Sequence, residues 1–257
     1  MALRVTCWRL AAAFLAAWTL VAGPAALAAD HLQRGRAYEE EGRYNDALSM
    51  YAEALRKDPA SAEAHYRSGV VYGKLGNSEQ AVAEYRETLR LSPGHEGARA
   101  ALAGHHLNRG LGYRQQGRAE DALRELEEAT RVDPGLGEAH LALGELYEER
   151  GEPQKALQEL REAVRIDPES VAARHRLARR YEHEGRYDLA EVEFMEVLRL
   201  NPEHPEAHAG LGVARYRLGR RAEAAEAFER AIRLHLREGR RDLALEVKRI
   251  QDALAKE

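Results

Sequence analysis

The stretch Glu138–Pro168, EAHLALGELYEERGEPQKALQELREAVRIDP, reads as two amphipathic helices joined by a glycine turn and closed by a proline. Spacings of three, four and seven put Gly144 and Tyr147 on one face of the first segment. The same spacings put Ala156, Leu160 and Ala163 on one face of the second. Gly151 tolerates the left-handed backbone with which a helix commonly stops. Pro153 falls at the start of the second helix, where a missing N–H costs nothing, and Pro168 cannot continue it.

This layout occurs six times between residues 28 and 238. Its turn glycines are Gly42, Gly76, Gly117, Gly151, Gly185 and Gly219, at spacings of 34, 41, 34, 34 and 34. Five residues after each comes an alanine: Ala47, Ala81, Ala122, Ala156, Ala190 and Ala224. Four further on stands a large apolar residue, Tyr51, Tyr85, Leu126, Leu160, Phe194 or Phe228. Four before the glycine is Tyr38, Tyr72, Tyr113, Tyr147 or Tyr181, with Arg215 the exception. Seven before it is Gly35, Gly69, Gly110, Gly144, Ala178 or Gly212. Pro59, Pro93, Pro134, Pro168 and Pro202 close the first five units. Small residues let two helices approach closely, and the ring of Tyr147 or its equivalents is expected to fill the space beside them.

This pattern resembles the tetratricopeptide repeat, a helix–turn–helix unit of 34 residues, over about 211 residues of the chain. The usual tryptophan of the first helix is missing. His31, His65, His106, His140 and His208 stand in its place, with Arg174 in the fifth unit. The resemblance implies an all-α fold, a right-handed α-solenoid with first helices inside and second helices outside. Stacked pairs then bury a core that no single pair can, with nearly nearest-neighbour energetics.

The expected units are 29–61, 62–95, 103–136, 137–170, 171–204 and 205–238. The 41-residue spacing leaves a helix-compatible insertion at 96–102. Either it lengthens the third unit's first helix to roughly 96–115, or the chain breaks near Gly104-His105-His106. After Gly239, Leu243, Val247, Ile250 and Leu254 mark one more amphipathic helix within 239–257, expected to cap the open end.

Residues 1–28 have a different character. Arg4 and Arg9 precede a 12-residue apolar run, Leu10–Val21, which Gly23 and Pro24 interrupt; Ala26-Leu27-Ala28 then offers a small-x-small cleavage pattern. This is the layout of a secretory signal peptide, with an uncleaved membrane anchor as the alternative. An exported, periplasmic protein is the expectation, or an inner-membrane-anchored one facing the periplasm. Membrane contact is expected only through this segment. Cys7, the one cysteine, precedes the apolar run and would leave with it, so neither disulfide nor thiol chemistry is expected. Removing Arg4 and Arg9 leaves 37 basic against 43 acidic residues and moves the formal charge from −4 to −6. That balance speaks against a general nucleic-acid binder.

No phosphate loop, nucleophile elbow, cysteine nucleophile or HExxH motif is found. No enzyme activity and no cofactor are expected. Five of the eleven histidines occupy one repeat position, hence different helix pairs on the order of 10 Å apart, against metal bonds of about 2 Å. Structural packing is the expectation for them, with no metal site.

The resemblance implies that first-helix residues off the signature positions line a groove. These are Leu32, Arg36, Tyr66, Val70, Leu107, Leu111, Leu141, Glu145, His175, Arg179, Ala209 and Val213. Much of this row is apolar, which suits either a protein-binding groove or packing between neighbouring first helices. The family's clamp for a peptide carboxylate maps to Leu32, Arg36, Arg67, Gly104 and Asn108, of which only the two arginines suit. The expectation is a scaffold or adaptor that binds a protein segment or helix, within the assembly of a cell-envelope complex. The alternatives are an oligomerising scaffold and an accessory subunit of an enzyme.

Overall fold

The computed structural model describes residues 24–256 of the chain, and among these thirteen helices and no strand occur. They are α1 (Pro24–Glu40), α2 (Tyr44–Lys57), α3 (Ala62–Lys74), α4 (Ser78–Leu91), α5 (Glu96–Gln115), α6 (Ala119–Val132) and α7 (Gly137–Glu149). After them come α8 (Pro153–Ile166), α9 (Val171–His183), α10 (Tyr187–Leu200), α11 (Pro205–Arg217), α12 (Arg221–Arg237) and α13 (Arg241–Leu254). Most of the expected leader lies outside the described residues. Ala26-Leu27-Ala28 belongs to α1, with Ala28 buried.

Each turn within a pair is built alike. At Gly151, with φ +71°, the glycine N–H donates to the Glu148 carbonyl at 3.0 Å, and the Glu152 N–H donates to the Tyr147 carbonyl at 2.9 Å. These two bonds cap the open carbonyls of α7, and only a residue free to adopt positive φ permits them. The other pair-joining glycines repeat the geometry, and so does Gly239 between α12 and α13. Between pairs, Asp133 caps the turn after α6 by accepting the Gly135 N–H at 3.1 Å. Asp58, Asp167 and Asn201 do the same before their own successors.

Packing explains the small-and-large pattern. A Cβ added to Gly144 would come within 3.0 Å of the Leu160 side chain; the same holds for Gly35 against Tyr51, Gly69 against Tyr85, Gly110 against Leu126 and Gly212 against Phe228. The fifth pair carries Ala178 instead, and there Phe194 presses on Gly210 of the following first helix. Ala47, Ala122, Ala156 and Ala190 are fully buried beside these contacts.

The chain divides into two compact units, Met1–His105 and His106–Glu257. In the first, Ala47, Tyr51 and Val71 form a core with Leu32 and Tyr38 packed on it. In the second, one core gathers Leu107, Leu126, Leu143 and Leu146, another Leu160, Leu177, Phe194 and Leu211, and a third Phe228, Val247 and Leu254. The inserted residues are helical, and α5 is continuous from Glu96 to Gln115. Helix α13 buries Ala244, Val247 and Leu254; its outer face carries Arg241, Lys248 and Arg249 with a single exposed Leu245. That polar outer face suits a cap.

Gly144→Val should lower the unfolding free energy by about 1–3 kcal/mol in a denaturant titration, because Leu160 must leave its place. Gly104→Ala, in α5 where an added Cβ meets nothing within 4 Å, should raise it by about 0.5–1 kcal/mol. Equal effects at the two sites would contradict the close-approach account.

Candidate functional site

Three of the histidines of the repeat position are clasps. In the second pair the His65 Nδ1 lies 2.6 Å from Glu84 Oε2; in the third, His106 Nδ1 lies 2.7 Å from Glu125; in the fourth, His140 Nδ1 lies 2.7 Å from Glu159. In the fifth, Arg174 donates to Glu193 at 2.6 Å. Each partner stands nineteen residues on, in the second helix of the same pair. The opposite nitrogen often reaches back to the closing proline: His140 Nε2 is 3.3 Å from the Pro134 carbonyl, His208 Nε2 is 3.0 Å from that of Pro202, and Arg174 Nε donates to that of Pro168 at 2.7 Å. The Glu159 hydrogen bond raises the His140 pKa above its ordinary value, against the opposing effect of burial.

The expected groove residues separate into three groups. Leu107 is 5% exposed and belongs to a core, which corrects its assignment to a binding surface. A first helix must bury one face against its neighbours, and Leu107 lies on that face. Leu32, Leu111, Leu141 and Val213 are partly buried against cores. Val70 is half-buried in α3. Tyr66 packs its ring on His95 at 4.5 Å between centroids.

The charged members are each held by an oppositely charged neighbour outside the set. Arg36 donates to Glu63 at 2.6 Å, joining α1 to α3. Arg114 donates to Glu145 at 2.5 Å, and Arg176 lies 2.7 Å from the other Glu145 oxygen, so one carboxylate ties α5, α7 and α9. Glu145 of the fourth repeat thus pairs with Arg176 of the fifth across neighbouring first helices.

His175 and Arg179 are brought together with Ala209 in an open groove of about 310 Å³ in the second unit. Its walls come from α9, from Glu206 and Ala209 of α11, from His235 of α12, and from Leu243, Glu246, Val247 and Ile250 of α13. Leu243 and Ile250 are each 38% exposed. A second hollow follows on the other side of His175 and Arg179, between Glu148 of α7 and Arg176, Arg180 and His183 of α9. Burial raises the Glu148 carboxyl above the ordinary carboxylate range, with Arg176 and Arg180 opposing. The α13 wall was not expected. Leu243 and Ile250, seven apart, share a helix face with Val247, on the helix expected to cap the open end.

Two imidazoles beside the groove are incompletely bonded. His175 Nε2 and His235 Nδ1 are buried with no hydrogen-bond partner. Burial lowers the His175 pKa to about 4, helped by His204, Arg179 and Arg176. Among the described residues no group of three or more histidine, cysteine or acidic side chains is arranged to hold a metal ion. No described helix is long and apolar enough to cross a membrane.

A stack of helix pairs, each closed by a glycine turn and presenting its first helices to a groove, defines a helical-repeat solenoid of the kind that carries recognition surfaces. The sequence profile of the tetratricopeptide repeat matches residues 32–96, 107–171 and 175–239, and a second profile of the same repeat matches 149–197. The chain belongs to the tetratricopeptide repeat family, an all-α solenoid fold. A solved structure with a TM-score above 0.5 agrees with this fold. YrrB, described as a repeat protein with an unusual peptide-binding site, is 23% identical with a TM-score of 0.54, covering 77% of this chain and 97% of its own. MamA is 22% identical with a TM-score of 0.47 over 66% of this chain and 96% of its own. The pilF protein of Pseudomonas aeruginosa is 21% identical with a TM-score of 0.47 over 83% and 94%. No curated protein matches.

His175 gives stability a pH dependence of known sign. Its folded pKa of about 4 lies below the ordinary 6.5, so between those values the unfolded chain binds the extra proton. Its contribution is complete above about pH 6.5 and is lost as the pH falls toward 4. His208 and His235, both lowered first by burial, act in the same sense. Denaturant titrations from about pH 7 to 4 should show the wild type losing more stability than His175→Phe, by roughly 1–3 kcal/mol. Parallel curves would contradict this.

Proposed function

We propose that the chain is a non-catalytic adaptor that holds a protein segment in the groove between α9, α11 and α13. The observation that carries this reading is the half-exposed Leu243 and Ile250, which face Ala209 across an open hollow rimmed by His175, Arg179, Glu206 and Glu246. Apolar surface in a concavity, with a few polar groups at its rim, is what an inserted side chain needs. Polar groups at the rim fix register more than they add affinity. The repeat fold supports the class of function, since stacked pairs present an extended surface with little chemistry of their own.

A selection of displayed peptides on the immobilised chain tests this. Binders should lose about tenfold or more in affinity for a Leu243→Glu, Ile250→Glu double variant with unchanged helicity and melting. Binders indifferent to both substitutions would refute the groove.

The export reading rests on residues 1–28 alone: two arginines, the apolar run and Ala26-Leu27-Ala28. In this proposal the chain works outside the cytoplasm, in assembly of an envelope complex. N-terminal sequencing of the secreted chain should begin at Ala29, and an intact Met1 on a cytoplasmic chain would contradict it.

A further inference from the structure

The residue that precedes a first helix has a recurring task in this chain. Ser61 accepts the Ala64 N–H at 3.3 Å, and Ser170 accepts the Ala173 N–H at 3.3 Å. These side chains satisfy an N–H that the helix itself leaves open. At the start of α11 the equivalent residue is His204, whose Nδ1 accepts the Ala207 N–H at 3.3 Å. His95 does the same for α5, accepting from Ala98 at 3.1 Å. A serine hydroxyl caps at any pH. An imidazole nitrogen caps only while its lone pair is free.

His204 differs from the other caps in having a second partner for the same atom. Its Nδ1 also lies 3.2 Å from Glu206 Oε2. The two interactions exclude one another. Unprotonated, Nδ1 accepts from Ala207; protonated, it must donate, and Glu206 is the acceptor within reach. The ring is also stacked on His175, itself a residue of the groove wall, with centroids 4.9 Å apart and planes at 28°.

The charged and titratable surroundings decide what a proton does there. Its stacking partner His175 faces Arg176 and Arg179 of α9 and Glu206 of α11, and His208 of α11 faces His204 itself; the groove beside His175 adds His235 of α12 and Glu246 of α13. Arg240, in the turn before α13, donates to Glu206 at 2.9 Å. Helix α10 places the Phe194 ring 6.0 Å from His175. A cation placed at His204 would stand at the positive end of α11, with the Glu206 carboxylate 3.2 Å away.

We propose that His204 is a proton-operated cap. Taking up a proton from solvent, it exchanges the Ala207 N–H for the Glu206 carboxylate, uncaps α11 and loosens the groove wall that α11 shares with α9. Burial lowers the pKa of its stacking partner His175 to about 4. The inference does not depend on what the groove binds.

The chain already contains the control residue, since Ser170 caps α9 without titrating. Amide hydrogen exchange on the full chain, with protection factors corrected for intrinsic rates, is compared at about pH 7.5 and about pH 5 in the wild type and His204→Ser. In the wild type the first-turn amides of α11, Glu206 and Ala207, should lose about tenfold protection at the lower pH, with Ala173 changed less than about twofold. In His204→Ser the loss at α11 should vanish. The proposal is overturned if both proteins lose protection equally, or if the wild type loses none. Should His204→Ser fold poorly, imidazole nitrogen shifts of the wild type decide the matter. Nδ1 unprotonated at about pH 7.5 and protonated at about pH 5 is required, and an Nδ1 that already carries its hydrogen at the higher pH overturns it.

Discussion

In most repeats one large side chain of the second helix presses on a point of the first helix that has no side chain at all. Leu160 against Gly144 shows the contact, which lies closer than any Cβ would permit. The rest of the structure depends on it. The approach brings the paired helices together at one place, and the glycine turn closes them there with two backbone bonds. It also consumes one face of each first helix. What remains is available for the histidine clasps, for the charge ladder through Glu145 and, at the end of the second unit, for a groove. The fifth pair shows how firm the constraint is. There Ala178 replaces glycine, and Phe194 lies against Gly210 of the next first helix.

The fold was legible because its determinants are local and repeated. Glycine, tyrosine, alanine and proline at fixed offsets report backbone conformation and close packing within a single pair, and thirty-odd residues suffice to read them. The inserted residues before Gly104 were open to two readings because alanine-rich sequence suits a helix whether or not it bends. The continuous helix Glu96–Gln115 shows that propensity was satisfied along its whole length.

The site was less legible, for a physical reason. Leucine at a first-helix position serves core and groove equally well, and periodicity reports the face without reporting what covers it. Leu107 is covered, while Leu243 and Ile250 are not. Which is which depends on contacts between successive pairs and on the last helix, which no single repeat encodes. Glu145 gave the same difficulty: an acidic residue on a first helix reads as a recognition group until Arg114 and Arg176 are seen on either side. The clasp partners did carry a signal, a glutamate nineteen residues after each of His65, His106 and His140. Its meaning emerges only when the two helices of a pair are placed side by side.

The groove combines an apolar wall from α13 with histidines of α9 and α12 whose ring nitrogens lack partners. Buried polar atoms without partners cost stability. The most direct measurement is amide chemical-shift mapping of the full chain with a selected peptide bound. The account predicts perturbations concentrated at His175, Arg179, Ala209, Leu243 and Ile250. Perturbations confined to the second-helix faces of α8, α10 and α12, or to the first unit, would contradict it.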